Sequence, residues 1–193
     1  MTELPPTPER LAGFSDGVIA VIITIMVLEL KAPHDANWNA LLALWPIFVS
    51  YGLSYLFVGV FWANHHHLLR DARVADHKLV GANLLALFFV SLIPFFTAFM
   101  AENRMAAFAT ALYAGVFLLS TVGYVLLQKA VTAQAQSASG LRRIERAADR
   151  RNWISLAAFA LAIPSAYLHP ALSFLIIILG AILYFIPDAV FRI

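Results

Sequence analysis

Five polar side chains stand inside apolar stretches of the chain: Ser15 and Asp16 in the first, Trp62 and His65 in the second, and Asn83 in the third. Ionisable groups in such places are costly to bury, so they are usually paired or functional. Asp16, His65 and Asn83 each fall about one turn inside the same end of their stretches, which at a rise of about 1.5 Å per residue puts them at a similar shallow depth. Trp62 precedes His65 by three residues, so both share one helical face. Carboxylate, hydroxyl, imidazole, amide and indole at one level can form an interhelical hydrogen-bond cluster, with Arg10 flanking it. Structural glue between the first three helices is the simplest work for such a cluster. Gating or proton sensing by an Asp16–His65 pair is the sharper chemistry.

The run His65-His66-His67 raises the question of a metal. Consecutive helical residues point about 100° apart, so the three rings do not converge on one ion, and no His or carboxylate at i+4 completes a zinc-protease pattern. No metal site is expected, and the absence of Cys removes thiolate chemistry. No Gly-rich phosphate loop, serine elbow or carboxylate pair points to an enzyme, and no cofactor is expected.

The elements that must position these residues follow from composition. The chain has 193 residues, 62% of them hydrophobic and 12% charged, with a mean hydropathy of +0.81. A soluble domain is roughly half apolar and about a quarter charged, so this is an integral membrane protein. A net charge of +2 gives no reason to expect nucleic acid. A spanning helix needs about 20 mostly apolar residues, and the runs are continuous rather than alternating, which excludes a β-barrel. The sequence predicts an all-α membrane protein, a single domain over residues 1–193, with six transmembrane helices at about 11–30, 38–69, 79–101, 105–128, 153–168 and 171–191. The 32-residue second span must tilt or protrude. Residues 129–152 read as a polar linker, basic from Leu141 to Arg151, forming a solvated turn or a contact with anionic lipid. With the N-terminus in the cytoplasm, 11 of the 13 Lys and Arg residues fall on the cytoplasmic side and only Lys31 and Arg104 outside. This satisfies the positive-inside rule and places both termini inside. The acidic, Pro-rich start is no signal peptide.

Val21, Ile25 and Leu28 are spaced by four and three in the first helix, with Thr24 beside them. In lipid such a stripe fits any helix surface. Around a symmetry axis it becomes a stack of apolar rings, able to close a pore by dewetting and to discriminate hydrated ions by size. Glu29, just beyond, would concentrate cations at the mouth. No internal repeat is visible, so a symmetric pathway must come from association of identical chains.

The run Arg10-Leu-Ala-Gly-Phe14-Ser15-Asp16 has the form Arg-x-x-x-Phe-Ser-Asp. It resembles the signature opening the first helix of the transmembrane protein 175 family, the endolysosomal potassium channels and their bacterial relatives. Trp62-Ala-Asn-His65 resembles that family's Trp-x-x-His near the end of the second helix. Asn83-Leu and Leu92-Ile-Pro94-Phe resemble its third. The later helices match only in number and hydropathy. The resemblance implies a six-helix subunit without the Thr-Val-Gly-Tyr-Gly filter, and this chain has no such run. Animal members carry two repeats and dimerise; single-repeat bacterial members are tetramers, the type this chain looks like.

The resemblance further implies a pore lined by the first helices. Its constriction would fall on Val21, with Thr24, Ile25 and Leu28 following, and Arg10, Phe14, Ser15, Asp16, Trp62, His65 and Asn83 would form the structural network. Val21 is smaller than the usual Ile or Leu, so Ile25 or Leu28 is the candidate for the narrower ring. The expected function is a homotetrameric, potassium-permeable cation channel of the bacterial plasma membrane, in contact with lipids and permeant monovalent cations. The competing reading is a secondary transporter with an Asp16/His65 proton relay. Transporters usually show inverted repeats and broken helices at the midplane, which the shallow cluster and the single repeat do not match.

Overall fold

The computed structural model describes residues 7–134 and 141–185, with the side chains of 141–149 and 183–185 excepted. Everything regular in that range is helical. Helix α1, Pro8–Met26, begins where Thr7 caps the Arg10 N–H and Pro8 occupies the first turn. There the missing N–H of proline costs nothing. The helix tightens into a 3-10 turn over Val27–Glu29. Asn37 caps a short helix α2, Trp38–Leu42, through Oδ1 to the Ala40 N–H at 2.8 Å.

Helix α3, Trp45–Arg70, carries Pro46 in its first turn. The expected second span over 38–69 is therefore divided. A proline has no N–H to give to the carbonyl four residues back, that of Leu42, and its ring clashes with that carbonyl, so α2 ends at Leu42 and a new helix starts at Trp45 with Pro46 in its first turn. The remaining 26 residues measure about 39 Å, close to a tilted crossing. The expected third span is broken in the same way. Helix α4, His77–Ser91, stops at Leu92, and α5, Ile93–Glu102, starts with Pro94 in its first turn.

Helix α6, Ala107–Thr132, follows after a turn in which Arg104 and Met105 both have positive φ. Helix α7, Leu141–Leu168, contains Pro164, and α8, Pro170–Phe185, follows after a single intervening residue. The expected linker over 129–152 is corrected at both ends, since α6 runs to Thr132 and α7 starts at Leu141. The basic stretch is too charged to extend an apolar run, but it is built mostly from Leu, Arg, Glu and Ala, all good helix formers. Nor is its end solvated. Arg151 and Asn152 are buried, and Asn152 Nδ2 donates to Gln128 Oε1 on α6. Residues 135–140, the side chains of Arg142, Arg143 and Arg146, and residues 186–191 of the expected sixth span lie outside the described residues.

Among the described residues, four segments are long and apolar enough to cross a membrane: Pro8–Glu29, Trp45–Arg70, His77–Glu102 and Ala107–Thr132. The described apolar part of α8 is shorter. The core lies around α6, where Phe57, Phe117 and Phe159 pack with ring centroids 4.1, 5.9 and 5.6 Å apart. Small residues let helices approach closely there, as they do in membranes generally. A Cβ on Gly123 would meet the Ala86 Cα of α4 at 2.8 Å, and one on Gly180 would meet the Phe159 ring at 3.0 Å. Buried hydroxyls join α3, α5 and α6: Ser54 lies 2.7 Å from both Thr97 Oγ1 and Tyr113 Oη. A second apolar cluster closes the end of the bundle where α1 begins, from Leu11, Leu69, Leu79, Leu127 and Val131. Gln134 clasps the α3–α4 loop at that end. Its Oε1 accepts from the Arg73 and Val74 N–H groups and its Nε2 donates to the Val74 carbonyl.

Candidate functional site

The polar residues and the apolar stripe both depend on how α1 is turned. Leu11, Ser15, Ile19, Ile22 and Met26 follow spacings of four, four, three and four, and all are buried. That stripe seats α1 against α3, α4 and α5. The opposite side is uncovered. Phe14, Val21, Ile25 and Leu28 are 53%, 55%, 43% and 72% exposed, against 5% for Ile22 and 1% for Met26. Within the chain only 28% of the apolar stretch of this first span is buried, against 61% of that of α6. Thr24 is also exposed, and its hydroxyl is satisfied within the helix by the carbonyls of Ala20 and Val21 at 3.0 and 2.9 Å. It therefore needs no partner on that face.

This face of α1 forms one wall of an open groove of about 840 Å³, with Gly13, Gly17, Val21, Ile25 and Glu29 on that wall and Ser91, Pro94 and Phe95 opposite. The break between α4 and α5 thus supplies the second wall, a contribution the apolar pattern did not reveal. Gly13 and Gly17 have open space where a Cβ would project.

Near the N-terminal end of α1 the expected polar cluster resolves into two parts. The first is fully buried. Ser15 Oγ donates to the Leu11 carbonyl at 2.8 Å and accepts from Asn83 Nδ2 at 3.0 Å. Asn83 Oδ1 lies 2.7 Å from His65 Nε2. Because the amide oxygen can only accept, the proton of that bond sits on His65 Nε2. The imidazole also stacks on Phe61 with centroids 5.7 Å apart. One chain of hydrogen bonds therefore ties α1, α4 and α3.

The second part lies at the surface. Trp62 Nε1 donates to Asp16 Oδ1 at 2.8 Å, and His66 Nδ1 stands 3.7 Å from Asp16 Oδ2. Asp16 thus meets His66, whereas the expected partner His65 bonds Asn83. His66 is the residue the sequence reading missed; its signal was the i, i+4 spacing from Trp62, whose ring lies 5.8 Å from it. Arg10 and Phe14 stand apart from both sets. Arg10 is exposed and its described hydrogen bonds are those of its backbone N–H to Thr7, while Phe14 lines the groove. At the other end, Lys31 Nζ lies 3.9 Å from Glu102 on α5, and Glu29 sits in the groove wall.

Long apolar spans, a polar clasp near one end and an unpartnered apolar face on the first helix define a multi-pass membrane protein with no enzyme-like site among these residues. The particular family follows from comparison. The family model described as the endosomal/lysosomal potassium channel TMEM175 matches residues 10–94, from the first residue of the Arg-x-x-x-Phe-Ser-Asp run to Pro94. A potassium channel of Chryseobacterium sp. (strain P1-3) is 34% identical over 182 residues, covering 94% of both chains. One from Chamaesiphon minutus is 34% identical over 199 residues, covering 94% of this chain and 98% of its own. The crystal structure of a lysosomal potassium-selective channel TMEM175 homolog from Chamaesiphon minutus superposes with a TM-score of 0.81 at 29% identity. It covers 92% of this chain and 95% of that one. This chain belongs to the TMEM175 family, a channel family and not an enzyme family.

Proposed function

We propose that this chain is one subunit of a homotetrameric, potassium-permeable cation channel of the bacterial plasma membrane. Both termini are cytoplasmic, the chain crosses six times, and α1 lines the pore. The observation that carries this reading is the division of α1. Val21, Thr24, Ile25 and Leu28 are all exposed in the subunit while Ile22 and Met26 are buried. The stripe read as stacked rings is therefore free to meet copies of itself around an axis. The relatives named as potassium channels supply the permeant ion. Potassium sheds water more cheaply than sodium, so a narrow ring without coordinating oxygens favours it through size and dehydration cost. Arg70, Lys78 and Lys129 stand at helix ends on the side of the bundle where α1 begins, which agrees with a cytoplasmic inner end. The buried Ser15–Asn83–His65 chain fixes the angle of α1 against α3 and α4. A proton-coupled transporter has less support, because Asp16 and His65 do not pair directly.

The test is a single-channel series of Asn substitutions from Val21 to Leu28. Val21→Asn, Ile25→Asn and Leu28→Asn should raise conductance and weaken potassium preference, since each supplies polar atoms from every subunit at one ring. Ile22→Asn and Met26→Asn should lower yield, because their side chains are in the core, without raising conductance. A flat response, or one peaking at Ile22 and Met26, would mean that another helix lines the pore.

A further inference from the structure

Behind the exposed face of α1, at the far end of the bundle, a cavity of about 190 Å³ lies between the turn after α1, the start of α3 and the end of α5. Met26, Leu30, Ile47 and Ala98 make most of its body apolar, Tyr51 adds an aromatic wall, and the hydroxyls of Ser50 and Thr97 in the lining are bonded to carbonyls of their own helices. Its rim carries Glu29, Lys31 and Glu102. Lys31 is paired with Glu102, which leaves Glu29 as the excess charge, so the rim is net negative. A dry cavity of about 150 Å³ lined by aliphatic and aromatic side chains holds benzene. This one has room for a six-membered ring with a one-carbon arm. A cation at the rim would meet the carboxylate of Glu29, and the face of a tyrosine ring also attracts cations.

We propose that this cavity binds a compact organic ammonium ion with an apolar body, of the benzylammonium class. The wall most easily moved is the turn Val27–Glu29, a single 3-10 turn followed by irregular chain up to α2. It is closed by the Leu30 N–H to the Val27 carbonyl and the Lys31 N–H to the Glu29 carbonyl, each at 3.0 Å. Glu29 lines both this cavity and the groove in front of α1. A ligand seated behind the turn shifts Leu28 and Glu29 together, and so acts on the outermost apolar ring. Only this last step rests on the channel reading; the binding site stands on the cavity alone.

The experiment is ligand-observed saturation-transfer NMR with benzylammonium on the whole protein in lipid nanodiscs, with benzyl alcohol as the neutral isostere. Saturable binding of benzylammonium is expected, about fivefold tighter than that of benzyl alcohol and about fivefold weaker in Glu29→Gln. Ala98→Phe should fill the space and abolish binding. If that variant does not fold, Ala101→Leu serves as the smaller filler, and the rim variant Lys31→Gln, at an exposed position, should tighten binding about twofold. Undiminished binding in a folded cavity-filling variant, equal binding of the alcohol, or weaker binding in Lys31→Gln would overturn the proposal. In recordings, benzylammonium should change the current of the wild type but not of Ala98→Phe. Binding without effect on a conducting protein would overturn the coupling to Leu28. A protein that binds but never conducts would overturn the channel reading and leave the cavity standing.

Discussion

The clasp at the N-terminal end of α1 offers the sharpest energetic test, because its two halves differ in burial. Asn83 is fully buried and serves as donor to Ser15 and acceptor from His65. Asn83→Ala removes two interhelical hydrogen bonds, each worth about 0.6 kcal/mol on average in membranes and up to about 1.7. It also strands the His65 Nε2–H in a fully buried site, which adds about 1–3 kcal/mol. The expected loss is about 2–5 kcal/mol. Ser15→Ala should cost less, about 1.5–3.5 kcal/mol, since the Ser15 proton is spent on the Leu11 carbonyl within its own helix and only one interhelical bond is lost, with the Asn83 Nδ2–H left unpaired. Asp16→Asn should cost least. Its amide oxygen still accepts from Trp62 Nε1, and the lost pairing with His66 is more than a third exposed, so solvent screens it to well under about 1 kcal/mol. Equilibrium unfolding in mixed micelles with increasing SDS measures all three on one scale. An Asp16→Asn loss equal to that of Asn83→Ala would show that the carboxylate, not the buried chain, anchors α1. An Asn83→Ala variant within about 0.5 kcal/mol of wild type would show that the chain is not glue at all.

Gly123→Val should destabilise strongly, by about 1–3 kcal/mol or more, because its added Cβ meets backbone of α4 that cannot swing aside; Gly115→Ala, with nothing within 4 Å, is the near-neutral control in the same thermal-unfolding assay. Gln134→Ala removes three hydrogen bonds from the α3–α4 loop, so hydrogen exchange at Arg73 and Val74 should accelerate at least tenfold while the core of α6 stays protected. Native mass spectrometry from a mild membrane environment should give four copies per particle. A monomer that conducts on its own would refute the assembly.

Much of the fold was legible because burial in lipid makes apolar run length the dominant signal. The first and fourth runs appear at nearly their expected limits, as Pro8–Glu29 and Ala107–Thr132. The breaks were harder to read for a specific reason. Hydropathy does not register proline as an interruption when its neighbours are Trp, Ile and Phe, yet Pro46 and Pro94 are where the second and third runs divide. Residues 141–152 failed in the opposite direction. A basic sequence was read as a turn because charge excludes it from the bilayer, while its helix-forming composition carries α7 on through it.

At the site, depth was legible and pairing was not. Adjacent helical residues point about 100° apart, so Ser15 and Asp16 face different neighbours, and so do His65 and His66. Ser15 and His65 turn inward to share Asn83, while Asp16 and His66 meet at the surface. Run length cannot choose between these arrangements. The polar residue does, however, set the rotation of the whole helix. Counting about 100° per residue from Ser15, Leu11, Ile19, Ile22 and Met26 all fall within about 40° of it. These four are buried. Thr24, Leu28 and Val21 fall about 180°, 140° and 120° away from it and Ile25 about 80° away, from the far side round to one flank, and these four are exposed. An all-apolar helix shows no amphipathic face by composition, since both lipid and core accept Val and Ile equally well. One buried hydroxyl near its N-terminal end supplies the missing reference, and the side left uncovered follows from it.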